Sequence, residues 1–267
     1  NTLFGYMAGD NLDAGSNYNT FIGHEVSDTT MADATYNTGV GYRALSALTS
    51  GDYNVAIGDQ AGLGFQSGQQ NVFVGHSAGY STTAVSKATI VGDNAAVANM
   101  TAGAGDGTGA DGTTALGSYA LNALTSGSGN TAVGFEALDS EDDGDFNTAV
   151  GYQALTAQTG TSGTVGNTAV GYNSGRYMTK GQYNTAIGYL ALRTEDVGNE
   201  STAVGAFALY GQNSDSDNEV AGNVGIGKGA GYYNVTGQNN VYVGRNCAFG
   251  ASGQSNSGNT AIGKDAL

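Results

Sequence analysis

A glycine recurs along this sequence, most often every seventeen residues, and the same nine-residue motif surrounds it each time. The clearest copy is Asn-Thr-Ala-Val-Gly-Tyr-Gln-Ala-Leu at 147–155, and its positions are called slots 1 to 9. Fifteen copies begin at residues 1, 19, 37, 54, 71, 88, 113, 130, 147, 167, 184, 201, 223, 240 and 259. Slot 5 is glycine in every copy: Gly5, Gly23, Gly41, Gly58, Gly75, Gly92, Gly117, Gly134, Gly151, Gly171, Gly188, Gly205, Gly227, Gly244 and Gly263. Short units repeated this often predict an architecture in which each unit, or rung, packs on the next.

The motif alternates as a β-strand does. Slot 2 is always Thr or Val, and slot 4 is always apolar, as at Val150 and Ile187. Since alternate side chains of a strand share one face, slots 2 and 4 are expected inside, and slot 3 on the opposite face. A single rung is too small to bury a core alone. The sequence therefore predicts an all-β fold, a β-solenoid or β-roll of about fifteen 17-residue rungs, formed by a single repeat array over residues 1–267.

Three other slots carry specific structural requirements. Slot 1 is Asn in twelve copies, and stacked Asn amides can hydrogen-bond from rung to rung. The invariant slot-5 Gly predicts a positive φ or the close approach of another backbone. Slot 8 is Ala in twelve copies and Val26, Ser174 or Cys247 in the rest, so only a small side chain is expected to fit there. Cys247 is accordingly predicted to be a buried packing residue.

Composition argues against other repeat and non-globular classes. The chain has 46 Gly but no Pro and no strict three-residue period, which rules out collagen. A 17-residue unit with several Gly cannot supply the two helices of a helical repeat. Disordered chains are usually highly charged and poor in aromatic residues, whereas this one is 12% charged and contains 16 Tyr and 8 Phe.

The charge and the apolar pattern limit the partners. A net charge of −15 disfavours nucleic acid and anionic membranes, because binding to either needs clustered Lys and Arg. No apolar run approaches the ~20 residues of a membrane helix, so membrane insertion is not expected. The chain begins and ends inside its repeat, which suggests a segment of a longer fibre.

The unit Asn-Thr-Ala-Val-Gly-Tyr-x-Ala-Leu at 17-residue spacing resembles repeats in the shafts of phage and phage-like tail fibres. It is also similar to the head repeats of trimeric autotransporter adhesins. The resemblance implies an extracellular location, on a virion tail fibre or a cell surface, and a parallel homotrimer. It further implies that any contact with a cell-surface glycan or receptor is made through parts outside this chain.

Slot 6 supplies a candidate surface strip: Tyr6, His24, Tyr42, His76, Phe135, Tyr152, Tyr172 and Tyr189. Such a strip could stack against sugar rings. The alternative is a ladder in which each ring packs against the next rung or a neighbouring chain.

Acidic residues cluster between the motifs. The clusters are Asp139, Glu141, Asp142, Asp143 and Asp145, then Asp215, Asp217 and Glu219, and more thinly Asp106 and Asp111. Asp142, Asp143, Asp145, Asp215 and Asp217 are weak candidates for Ca²⁺ ligands, although none has EF-hand spacing. The alternative is solvated loops that keep the chain soluble, with no cofactor.

No catalytic constellation is found. His24 and His76 occupy equivalent slots, and neither a nucleophile elbow nor metal-binding spacing occurs. A catalytic site should break the repeat, so the chain is expected not to be an enzyme.

The sequence thus predicts the structural shaft of an extracellular fibre, a tail fibre or surface adhesin, that self-associates as a homotrimer or filament. One alternative is a self-assembling extracellular filament subunit. Another is an ice-binding solenoid, for which slot 2 offers a Thr column but the motif lacks Thr-x-Thr pairs.

Overall fold

The computed structural model describes residues 1–101, 109–159, 163–250 and 256–267. These residues form strands and turns and contain no helix, so the all-β prediction is confirmed. The fold is a parallel β-solenoid with one three-residue strand in each copy of the motif. The chain divides into two compact units, Asn1–Val133 (unit 1) and Gly134–Leu267 (unit 2).

Unit 1 contains eight strands, and each pairs in parallel with the next along the chain. Slots pair with the same slots, so that Thr20 lies beside Thr38 and Phe21 beside Gly39. The strands are β1 (Thr2–Phe4), β2 (Thr20–Ile22), β3 (Thr38–Val40), β4 (Val55–Ile57), β5 (Val72–Val74), β6 (Thr89–Val91), β7 (Thr114–Leu116) and β8 (Thr131–Val133).

Unit 2 repeats this arrangement and adds two short strands. Its slot 2–4 strands are β10 (Thr148–Val150), β12 (Thr168–Val170), β13 (Thr185–Ile187), β14 (Thr202–Val204), β15 (Val224–Ile226), β16 (Val241–Val243) and β17 (Thr260–Ile262). The additional strands β9 (Gly144–Asp145) and β11 (Gly163–Thr164) form a separate two-stranded parallel sheet. Insertions between motifs therefore change the turns and leave the register of the main strands intact.

The slot-1 asparagines form the predicted ladder. Nδ2 of Asn54 donates to Oδ1 of Asn37 at 3.0 Å, and Nδ2 of Asn71 donates to Oδ1 of Asn54 at 2.9 Å. The same Oδ1 atoms also accept the backbone N–H of the next asparagine, at 3.0 Å in both steps. Asn54 and its equivalents between the first and last copies are buried, so each amide fixes two neighbouring rungs at the start of the strand.

The slot-5 glycine meets both predicted requirements. Gly151 has φ +140°, in a region that L side chains rarely adopt. A Cβ at this position would also collide with the backbone carbonyl of Gly171 in the next rung. Glycine is required here by the rung-to-rung stacking itself, and this explains its presence in every copy.

Slot 3 faces the core, and slots 2 and 4 do not. Ala149 and Ala169 in slot 3 have no exposed surface, whereas Val150 is half-buried and Ile187 is 38% exposed. The prediction that Val150 and Ile187 are buried is therefore wrong. Alternation shows that slots 2 and 4 share a face, but not which face is inside, because both faces carry apolar residues.

The interior of a rung is narrow. Slot 3 is therefore usually Ala, and where it is larger a neighbour is smaller: Phe21 is followed one rung later by Gly39, whose Cβ would lie 3.2 Å from the Phe21 ring and 2.7 Å from Val26. Slot 8 is buried as predicted, at Ala154 and at Cys247 alike. Slot 9, as at Leu155, and the residue seven positions after the slot-5 Gly, called slot 12, complete the core.

The turns are also bonded from rung to rung. The N–H of Gln153 donates to the carbonyl of Phe135 at 2.9 Å, and the N–H of Leu155 donates to that of Ser174 at 3.1 Å. Gln153 and Leu155 have φ +52° and +51°, and this alternation of left-handed residues turns the chain back after the strand. Each rung thus hydrogen-bonds to both neighbours outside its strand as well as inside it.

Candidate interaction surfaces

The first candidate surface is the outer face of the main strands, formed in each unit by slots 2 and 4 and called the outer sheet face. Ile57 in unit 1 and Ile226 in unit 2 are 43% and 41% exposed. Slot 3 was predicted to form an exposed apolar strip opposite the core; that is wrong, since slot 3 is the core. The exposed apolar strip exists, but slot 4 forms it, beside the Thr and Val of slot 2.

The predicted slot-6 strip lies exposed and stacks along the rungs. In unit 1 the rings of Tyr6 and His24 are 5.0 Å apart and those of His24 and Tyr42 are 5.4 Å apart. In unit 2 the strip is longer and more regular, with centroid separations of 5.3–5.4 Å between successive rings. The members of that strip are Phe135, Tyr152, Tyr172 and Tyr189. Ring-on-ring packing is therefore observed, with the outer ring edges still accessible.

His76 is separate from the other slot-6 rings. The same slot holds Asp59 in the rung before it and Asp93 in the rung after it. Nδ1 of His76 lies 2.8 Å from Asp93, and Nε2 lies 3.9 Å from Asp59. All three side chains are about half exposed. His76 thus lies between carboxylates, and the hydroxyl of its neighbour Ser77 lies 3.4 Å from Nε2, at the long limit of a hydrogen bond.

The acidic cluster of unit 2 contains one residue that is not solvated. Glu141 is fully buried in slot 12, so its assignment to a solvated loop is wrong. Its Oε1 accepts the N–H of Gly144 at 2.7 Å, and its Oε2 accepts Nδ2 of Asn147 at 3.2 Å. Desolvation raises the pKa of Glu141 to about 7, and the charges of Asp142 and Asp143 contribute to the rise.

Glu141, Asp142 and Asp143 are close enough to share a cation. One carboxylate oxygen from each lies within 4.8 Å of the others. Asp142 is exposed and Asp143 is intermediate. Each oxygen of Glu141 also accepts one hydrogen bond, which leaves a second lone pair on each oxygen.

Among the described residues, the other Ca²⁺ candidates do not form such a group. Asp217 pairs with Lys180 at 2.6 Å, and the backbone N–H of Asp215 donates to Glu219 at 3.2 Å. Asp145 lies in β9, where it pairs with Thr164. Asp111 caps a turn by accepting the N–H of Ser86 at 2.7 Å. Asp106 lies outside the described residues.

A second aromatic column, in slot 10 of unit 2, was not found from the sequence. Tyr210 and Tyr232 stack at 4.9 Å, and Tyr232 and Phe249 at 5.0 Å. Arg193 continues the column, with Nη1 donating to the Tyr210 hydroxyl at 3.0 Å. Its guanidinium also lies 4.9 Å from the Tyr177 ring centroid. The available signal was the recurrence of Arg and aromatic residues five positions after the slot-5 Gly, outside the nine-residue motif.

A third column stands before slot 1 in unit 1. Tyr18, Tyr36 and Tyr53 directly precede the slot-1 Asn, and their rings stack at 4.8 and 4.9 Å. All three are exposed. This column was also missed, because the motif was defined from Asn onward.

Cys247 is buried as predicted and packs in slot 8. Its thiol donates to the carbonyl of Ala261 at 3.1 Å. Desolvation raises the pKa of this thiol, so the reactive thiolate is disfavoured.

The part of the chain that the structure describes contains no apolar helix of membrane-spanning length. Comparisons with known proteins identify no relative: no family model matches the chain, and neither a curated protein nor a solved structure matches it.

Proposed function

We propose that the chain is a structural shaft segment of an extracellular fibre, a tail fibre or surface adhesin, and that it self-associates through the outer sheet face. The single observation that carries this proposal is the exposed, in-register slot-4 column. Ile57, Leu116, Ile187 and Ile226 are between 38% and 46% exposed, although they lie on regular strands. A repeated apolar face of this kind is typical of an interaction surface.

The rung design supports a mechanical role. Each rung is bonded to its neighbours through the strand, the slot-1 amide and the turns, so load along the solenoid axis falls on many parallel hydrogen bonds. Shape and stiffness then follow from repetition, as in other solenoids. Location and the homotrimer rest on the resemblance to tail-fibre and adhesin repeats.

Sedimentation equilibrium or light scattering on the 267-residue chain tests self-association. We expect a mass of three times 26.7 kDa at micromolar concentration, or a larger assembly. Because each copy carries −15 charges, association should strengthen as salt rises. Electron micrographs of the same sample separate a discrete trimer from a filament. A monomer at every salt concentration overturns the proposal.

A matched pair of variants locates the interface. Val150→Lys with Val170→Lys places two charges on the outer sheet face of unit 2, where they would have to be desolvated on assembly. Ser216→Lys adds a charge in an exposed loop and serves as control. We expect the double variant to dissociate at least tenfold more readily, and the control to assemble as the parent chain does.

A second candidate function is ice binding, and one observation favours it. The slot-2 Thr side chains lie outside on consecutive strands, as at Thr148, Thr168, Thr185 and Thr202, beside a parallel column of Val and Ile. A regular array at the ~4.8 Å strand spacing can order water. Thermal hysteresis in a monomeric sample would support this function; its absence would remove it.

A further inference from the structure

The end of the slot-10 aromatic column in unit 2 borders a shallow concavity of about 350 Å³. Tyr232, Tyr233, Phe249 and Phe207 form its walls. Tyr233 stands at 70° to Tyr232 and at 81° to Phe249, so the rings enclose a corner instead of forming one flat stack. This differs from the slot-6 strip of unit 2, in which each ring lies nearly parallel to the next.

The concavity exists because of a glycine in slot 7. Slot 7 holds Leu190 and Phe207 in the two preceding rungs and Asn246 in the following one, but Gly229 in this rung. A Cβ on Gly229 would lie 3.1 Å from Oδ1 of Asn246 and 3.3 Å from the Phe249 ring. Any side chain at Gly229 would therefore intrude between the two groups that line the floor.

The rim of the concavity is positively charged in a strongly acidic chain. Lys228 borders it directly, and slot 6 continues with Arg245 and Lys264 in the next two rungs. Lys264 pairs with Asp265 at 3.2 Å. Among the described residues, Lys228 and Arg245 make no ion pair within 4 Å, and both side chains are exposed. The hydrogen bond with Lys264 lowers the pKa of the Asp265 carboxyl, and Arg245 is near enough for its charge to contribute, so Lys228 is the cation of this rim without a described carboxylate beside it. Cations stacked on neighbouring strands repel one another, and an anion placed beside them relieves that repulsion.

We propose that this concavity binds an acidic sugar residue, a hexuronate unit of a glycan. The apolar face of a pyranose ring packs against aromatic rings such as Tyr232 and Phe249, as ligands of mixed polarity do in aromatic-lined sites. The Asn246 amide lies at the floor; its Nδ2 already donates to Asp265 at 3.2 Å, so it is the amide oxygen that can accept a hydrogen bond from a sugar hydroxyl. The carboxylate of the sugar then lies toward Lys228 and Arg245. The overall charge of −15 does not prevent this, since fields of distant charges are screened beyond ~8 Å at physiological salt.

Desolvation raises the pKa of Tyr232, and the neighbouring Tyr210 and Tyr233 contribute in the same direction. Its hydroxyl is therefore protonated at neutral pH and can donate to the sugar. This site does not depend on self-association, because its walls belong to slots 7, 10 and 11 and not to the outer sheet face.

Isothermal titration of the full chain with a tetragalacturonate tests the proposal, with the fully methyl-esterified tetragalacturonate as matched neutral probe. We expect the acid to bind, and to bind about fivefold more tightly than the ester, the difference that an exposed ion pair supplies. Phe249→Ala should weaken both probes at least tenfold. Lys228→Met should reduce the preference for the acid, and Lys228→Met with Arg245→Met should abolish it, so that acid and ester bind equally.

Tyr36→Ala is the control, because it removes an exposed stacked ring from unit 1 that has no cationic rim beside it. Binding of both probes should be unaffected by it. Three outcomes each overturn the proposal: the parent chain binds acid and ester equally, Phe249→Ala has no effect on binding, or neither probe binds at millimolar concentration. Far-UV circular dichroism of each variant shows whether a loss of binding reflects unfolding. Because the mass of the chain in solution is measured separately, failure of the glycan site leaves the shaft proposal intact.

Discussion

The two units share one rung design but fill slot 12 differently. Unit 1 buries mainly apolar side chains there, as at Leu48, Phe65 and Leu124, and Met31 and Met100 are buried one position later. Unit 2 buries mainly polar ones: Glu141, Gln158, Met178, Glu195, Gln212 and Asn234. The one polar slot-12 residue buried in unit 1, Thr82, has a hydroxyl without a hydrogen-bond partner among the described residues.

Unit 2 can bury these groups because they bond to one another across rungs. Nε2 of Gln212 donates to Glu195 at 2.7 Å and to the Ser201 hydroxyl at 2.8 Å. Oε1 of Gln212 accepts Nδ2 of Asn223 at 3.0 Å. The same rung backbone therefore accommodates either an apolar or a polar side chain in slot 12. What slot 12 requires is either apolar neighbours or a complete set of hydrogen bonds.

Substitution of a slot-5 glycine should give the largest loss of stability, and the loss should be the same in both units. Gly58→Ala and Gly151→Ala each place a Cβ against the carbonyl of the next slot-5 glycine, at a φ of +141° and +140°. We expect each to cost about 4 kcal/mol or more, because backbone strain and collision add. Urea unfolding measures the loss, and hydrogen exchange with mass spectrometry assigns it to a unit.

Gly258→Ala gives the cost of an alanine at a positive φ without a collision, at a φ that strains an L residue less than the +140° of Gly151 does. Gly258 also has a positive φ, +71°, but a Cβ there would meet nothing within 4 Å. It should cost only about 1 kcal/mol. If Gly151→Ala costs no more than Gly258→Ala, the stacking explanation for the slot-5 glycine is wrong.

The next largest effect is a pH dependence of stability that should differ between the two units. The pKa of Glu141 is raised to about 7 in the folded chain, from an ordinary value of 4.5. The folded state therefore binds the Glu141 proton more tightly than the unfolded state does. The resulting contribution to the free energy of unfolding is complete below pH 4.5 and is lost as pH rises through 7. Unit 2 should lose up to about 3 kcal/mol between pH 4.5 and pH 8.

Asp143 and Asp196, whose pKa values are also raised by desolvation, should add to this loss in unit 2. Hydrogen exchange, corrected for the intrinsic pH dependence of exchange, measures it, with unit 1 as the internal reference. Glu141→Gln should remove most of the dependence and make unit 2 more stable than the parent at pH 8. Equal pH dependence in the two units would refute the role of Glu141.

The backbone of each rung could be predicted from the sequence. Slot 5 is Gly and slot 1 is mostly Asn because of contacts between successive rungs, and fifteen repetitions made both requirements visible. Which face of the strand lies in the core could not be predicted, since Ala149 on one face and Val150 on the other are both apolar. Hydrophobicity alone does not distinguish a core from a face that binds a partner.

The surfaces were predicted less completely, because they depend on residues outside the motif and on which residues of successive rungs lie beside one another. Tyr232 and Phe249 come together only because slot 10 stacks from rung to rung. The space at Gly229 becomes a concavity only because Phe207 and Asn246 of the neighbouring rungs line it. Glu141 was assigned to solvent because neighbouring acids usually are solvated. Aligning it with Leu124 of the preceding motif would have predicted its burial.

The smallest expected effect tests the polar network itself. Oε1 of Glu195 accepts the N–H groups of Asp196, Gly198 and Ser214, at 3.1, 2.8 and 3.1 Å. Its Oε2 accepts Nε2 of Gln212 at 2.7 Å and the Ser214 hydroxyl at 3.2 Å. Glu195→Gln turns its Oε2 position into an amide donor that faces the Gln212 amide. We expect a loss of about 1–2 kcal/mol by urea unfolding at pH 7, opposite in sign to Glu141→Gln at pH 8.

Exchanging the two residues should restore most of that loss. In Glu195→Gln with Gln212→Glu, the new amide at 195 can accept from Gly198 and donate to the carboxylate at 212. That carboxylate can also accept from Ser201 and Asn223, which already contact position 212. A double-mutant cycle should therefore give a favourable coupling of about 1 kcal/mol between the two substitutions. Additive losses would show that Glu195 and Gln212 are merely adjacent, and that the bond between them does not hold the polar core of unit 2 together across rungs.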